Sequence, residues 1–71
     1  MAADVTRAVI SAVWYLHRDL DRGPTATEIA TYLKFAESDV LTALRDLKDQ
    51  RIFTDRRTKA GRIWEPWGGN W

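Results

Sequence analysis

The chain has no cysteine, which removes disulfides and thiolate metal sites from consideration. It has one histidine, His17, and no cluster of carboxylates beside it, so neither a metal centre nor acid–base catalysis has enough groups. Glycine-rich phosphate loops and nucleophile elbows are absent as well. No apolar run approaches the ~20 residues that span a bilayer. The partly apolar opening, MAADVTRAVISAVWYL, lacks the basic start and the cleavage site of a secretory leader. Charge of one sign is also lacking: the net charge is +1, so any electrostatic partner has to be read from where the charges stand. These absences argue against an enzyme, a cofactor and a membrane role, and for a reducing cytoplasmic setting. At 71 residues the chain makes one domain, residues 1–71. A single core of that size contributes only a few kcal/mol beyond conformational entropy, so a second copy or a partner would add to its stability.

What is present falls into a clear order. Val5, Val9, Ala12, Val13, Leu16 and Leu20 recur every three or four positions, which predicts a helix over about 4–20 with Asp4 as its cap. DRGP at 21–24 ends it, glycine closing the helix and proline barring its continuation. Thr25 stands three residues before Glu28, the pattern of a capping box, and predicts a second helix over about 25–34 buried through Ile29, Ala30 and Leu33. A third helix is predicted over about 37–50. Val40, Ala43, Leu44 and Leu47 face inward there, and Glu37 and Asp39 suit the positive end of the helix dipole. The segments RIFTD (51–55) and RIWEPW (62–67) read as strands around the polar RRTKAG, a hairpin with a longer loop that Pro66 terminates. Residues 67–71 form an aromatic tail. The class is mainly α with a small β-hairpin, an α+β fold.

Three helices followed by a hairpin is the order of a winged helix-turn-helix domain. The stretch TEIATYLKFAESDVLTALRDLKDQRIF resembles the helix-turn-helix core of small bacterial and phage regulators of the MarR-like kind. Thr25, Ile29, Ala30, Leu33, Val40, Ala43, Leu44, Leu47, Ile52 and Phe53 carry the likeness, and GRIW at 61–64 is similar to the returning wing strand. Lys34 and Arg51 stand where that family carries glycines, and Ala36 where it carries a serine cap. Z-nucleic-acid-binding domains share the scaffold and keep a wing tryptophan, as Trp64 would be. The Asn and Tyr with which they read the backbone are Leu41 and Arg45 here.

The resemblance implies double-stranded DNA as partner, with the third helix in the major groove and Ser38, Thr42 and Arg45 as its readers. Against this, the helix has four acids (Glu37, Asp39, Asp46, Asp49) and two bases (Arg45, Lys48), so phosphates repel it unless the acids face away. The hairpin has the opposite balance. From 51 to 62 it holds five cations and one acid, Asp55, so a loop bearing Arg56, Arg57, Lys59 and Arg62 is placed to neutralise phosphates, together with the helix start near Thr25. The implied protein is a transcriptional regulator, nucleoid-associated, acting as a homodimer on paired half-sites or with a protein partner. Trp14, Tyr15, Trp67 and Trp71 are the candidate interface, since aromatics anchor protein contacts; alternatively the tail folds back on the first helix. Trp64 and Leu41 read as sheltered packing residues. A rival reading keeps the scaffold and discards DNA: a protein-binding module using the aromatic tail and the acidic third helix.

Overall fold

A computed structural model describes residues 2–69, with side-chain environments from 4 to 68. Three helices precede a two-stranded antiparallel hairpin: α1 (Ala2–Leu20), α2 (Ala26–Leu33), α3 (Glu37–Asp49), β1 (Phe53–Thr58) and β2 (Gly61–Pro66). A short 3-10 turn over Trp67–Gly69 follows. This is the small α+β fold expected from the sequence. Among the described residues no helix is long and apolar enough to cross a membrane.

Helix α1 begins two residues earlier than its apolar spacing predicts, so Asp4 is not its cap. It lies inside the first turn, where a carboxylate still complements the helix dipole. The helix also ends differently. Asp21, at φ 57°, takes the left-handed position expected of a glycine. Gly23 serves another purpose: a Cβ there would lie under 3.0 Å from the Trp64 carbonyl oxygen, so only glycine lets β2 approach. Helix α2 starts on the predicted capping box. The Thr25 hydroxyl accepts the Glu28 N–H at 3.1 Å, and Glu28 Oε1 accepts the Thr25 N–H at 2.8 Å. Arg22 grips the same carboxylate through two bonds, 3.0 and 2.7 Å, and holds Glu28 below its ordinary pKa.

Helices α2 and α3 both close on left-handed residues that are not glycine. Lys34 has φ 61°, and the Phe35 N–H donates to the Ala30 carbonyl at 3.0 Å. Arg51 has φ 60°, with its own N–H on the Lys48 carbonyl and the Ile52 N–H on that of Leu47. Both are Schellman-type endings, so the positions keep a glycine's backbone without a glycine. Ala36, before α3, makes no side-chain cap.

The core lies where the inner faces of all three helices meet the hairpin base. Val9, Val13, Ile29, Val40 and Leu44 are fully buried, and Leu47, Phe53 and Trp64 nearly so. Trp64 is thus a packing residue. Its indole N–H, occluded from solvent, finds no acceptor among the described residues.

The strands pair from Phe53↔Pro66 to Thr58↔Gly61, leaving Lys59 and Ala60 as a two-residue loop. The longer loop expected from RRTKAG is therefore corrected: Arg56 and Arg57 are strand residues. The tip is closed by Thr58, whose hydroxyl donates to the Gly61 carbonyl at 3.0 Å and accepts the Ala60 N–H at 3.2 Å. The base is tied to the helices. The Trp64 N–H donates to the Pro24 carbonyl at 2.8 Å, Thr25 forms a bridge with Ile63, and the Trp67 N–H donates to the Ile52 carbonyl at 3.0 Å. Pro66 ends β2, as predicted.

Candidate nucleic-acid interface

At about 3.6 residues per turn, burying Val40, Ala43, Leu44 and Leu47 turns Ser38, Thr42, Arg45 and Asp49 outward along one stripe of α3. Ser38, Thr42 and Arg45 are all exposed. The Thr42 hydroxyl donates to the Ser38 carbonyl one turn back at 3.0 Å, leaving its lone pairs free to accept.

The two flanks of this stripe differ in charge. Lys48 marks the flank nearest the hairpin, since its Nζ reaches Asp55 Oδ1 on β1 at 2.8 Å. Leu41 lies on that flank too, half-buried, and Glu37 accepts the Thr27 hydroxyl there at 3.1 Å. Glu37 and Leu41 line a cavity of about 440 Å³ with Thr25, Thr27 and the hairpin tip from Ala60 to Arg62. Helical geometry carries Asp39 and Asp46 to the opposite flank, away from the hairpin. Two of the four acids therefore do face away, which composition alone leaves open.

The hairpin cations separate by face, because residues directly opposite in an antiparallel pair share a side. Asp55, Arg57, Arg62 and Trp64 share one face, and Lys48 identifies it as the side toward α3. Arg56, Ile63 and Glu65 share the other. Arg56 spends both arms of its fork on Glu65, Nε at 3.1 Å and Nη2 at 3.4 Å. Arg62 faces Asp55 as an ion pair, its Nε 3.2 Å from Oδ2. Arg57, directly opposite Arg62, and Lys59, in the turn, have no ion pair among the described residues. The Arg51 guanidinium lies 6.0 Å from the Trp67 ring. Asp55 is held below its ordinary pKa by the Lys48 hydrogen bond, more strongly than its burial raises it, with the Lys48 and Arg62 charges adding to the effect. Thr25 lies on the cavity rim, its hydroxyl engaged in the cap.

The aromatic candidates occupy separate places. Tyr15 stacks on Tyr32 of α2, centroids 5.2 Å apart, with both rings about half exposed. Trp14 is exposed on α1, where Trp14, Tyr15, His17 and Arg18 line an open depression of about 450 Å³. Trp67 is exposed at the hairpin base beside Arg51. Trp71 lies outside the described residues.

Reading the sequence did not single out Lys48, Asp55, Glu65 or Tyr32 as site residues. The first three matter through strand register, which composition does not display. Tyr32 carried a weak signal, an aromatic on the polar side of a short helix. Comparison with protein-family models, curated proteins and solved structures returned no match.

Proposed function

We propose that this fold works as a winged helix-turn-helix that binds double-stranded DNA, as a transcriptional regulator or a general DNA-associated protein. Helix α3 enters the major groove with Ser38, Thr42 and Arg45 toward base edges, Arg45 matching guanine best. The hairpin is the wing, and Arg57, Lys59 and Arg62 meet phosphates beside it, with the α2 start near Thr25. One observation carries this reading. The hairpin face turned toward α3 holds Arg57 and Arg62, and α3 adds Lys48 to them, while Asp39 and Asp46 turn to the far flank. A polyanion lying along the outward stripe thus meets cations on the hairpin side. One such module covers a short site, so a homodimer on paired half-sites supplies the remaining affinity.

The test is selection from a random-site duplex pool, followed by binding to the selected and an unrelated duplex across a salt series. A preferred sequence, with affinity falling steeply as salt rises, is expected. No retention of duplex at low salt refutes the reading.

A second reading has its own observation. The exposed Tyr15–Tyr32 stack is a ready anchor for a protein partner, as are Trp14 and Trp67. In that reading the chain binds protein and not DNA, and Tyr15→Ala with Tyr32→Ala abolishes association in sedimentation while leaving duplex retention absent.

A further inference from the structure

We infer that Asp55 is a positioning residue: it orients Lys48 of α3 and Arg62 of β2 into a clasp that takes one phosphate group across the gap between helix and hairpin. The inference rests on the nucleic-acid reading above and deepens it by naming a contact and what holds it.

Three observations carry it. Asp55 is the most sheltered member of the cluster, its side chain 13% exposed where those of Lys48 and Arg62 are 48% and 53% exposed. It stands within ion-pair reach of both cations, Lys48 Nζ 2.8 Å from one oxygen and Arg62 Nε 3.2 Å from the other. Neither cation has another ion-pair partner among the described residues, so the donors they do not turn to Asp55 are left for an outer ligand. Glu65, on the other face, is given to one cation alone, accepting two hydrogen bonds from Arg56 at Nε and Nη2, whereas Asp55 serves two cations.

The strand pairing makes the same point. Arg57 and Arg62 stand directly opposite one another, an arrangement of like charges that destabilises a hairpin. Asp55, diagonal to Arg62 on that face, offsets the repulsion and lets the hairpin keep two cations beside Lys48 of α3. The ligand this geometry suits is a phosphate oxygen pair, met by a planar guanidinium and an ammonium from two different elements. Because Lys48 rides on α3 and Arg62 on the hairpin, the clasp also fixes where the backbone lies relative to the outward stripe.

The experiment measures binding of a labelled unrelated duplex, and retention on heparin, over a potassium chloride series, with thermal melts to establish folding. For the wild type, binding weakens with salt. Lys48→Gln and Arg62→Ala each flatten the logarithmic salt slope by about one, the loss of one phosphate contact. Arg56→Ala flattens it by less. Asp55→Asn weakens binding roughly two- to fivefold at fixed salt, the range spanned by exposed charge-pair energies, and flattens the slope although it removes a negative charge. Equal or tighter binding by Asp55→Asn, with an unchanged or steeper slope, overturns the inference and leaves the nucleic-acid reading standing. If Asp55→Asn does not fold, Lys48→Gln decides alone, an unchanged slope overturning the clasp. A wild type that binds neither duplex nor heparin overturns both.

Discussion

Replacing Gly23 by alanine tests how the hairpin is seated. The added methyl would lie under 3.0 Å from the Trp64 carbonyl oxygen, 3.1 Å from its carbonyl carbon and 3.4 Å from Ile63 Cδ1. Its nearest neighbours are backbone, which cannot swing aside as a side chain does, so β2 must retreat. Retreat stretches the Trp64-to-Pro24 hydrogen bond, now 2.8 Å, and shifts the buried Trp64 ring. Losing that bond costs about 0.5–1.5 kcal/mol. Overpacking adds about 1–3 kcal/mol. The reduced entropy of the unfolded chain returns about 0.4–1 kcal/mol, since Gly23 does not occupy the left-handed region and alanine fits its backbone. The net is a destabilisation of about 2 kcal/mol. A chain of 71 residues has a total stability of roughly 4–11 kcal/mol. The loss therefore lowers the melting temperature by roughly 8–16 °C. Circular dichroism melts of Gly23→Ala against wild type measure it. A variant that melts at or above the wild type refutes the close approach of β2 to residue 23.

Two further outcomes follow from the local geometry. Lys34→Gly relieves a left-handed side chain at a cost in chain entropy, and raises stability by about 0.5–1 kcal/mol in urea titration; a fall in the midpoint contradicts the strain argument. Glu28 and Asp55 both have folded pKa values below their ordinary 4.5 and 3.8. Their stabilisation is fully present above the unfolded values and is lost as pH falls through the folded ones. The urea midpoint therefore stays level down to about pH 5 and then declines, less steeply in Glu28→Gln and Asp55→Asn. A midpoint that rises on acidification contradicts the sign.

The helices were legible because each states itself locally. The recurrence from Val5 to Leu20, the Thr25–Glu28 pair and the stripe from Val40 to Leu47 need no knowledge of the rest of the chain. What escaped the sequence depends on distant partners. Gly23 looks like a helix stop, yet the atom it makes room for is Trp64 O, forty residues later in rough terms. RRTKAG looks like a loop because the outer half of the ribbon carries no apolar alternation. Its strand character comes from pairing with GRIWEP across a two-residue turn. The candidate cations were found by type, but which carboxylate each one meets, Glu65 for Arg56 and Asp55 for Arg62, needs the register that brings Glu65 to one face and Asp55 to the other. Left-handed Lys34 and Arg51 are marked by no glycine of their own, and only the resemblance, which puts glycines at both positions, pointed to that backbone.

Thr25 has three attachments: its hydroxyl caps α2, its N–H is held by Glu28, and its backbone bridges to Ile63 in β2. An eight-residue helix is too short to persist alone in water, and a lone two-stranded ribbon is only marginally stable. Joined at this residue, each closes the other's open end, and the two are expected to melt as a single cooperative unit. Amide hydrogens of α2 and of the inner hairpin should then exchange with solvent through one shared opening event, so that a threonine that reads as a simple cap would set the protection of a strand far along the chain.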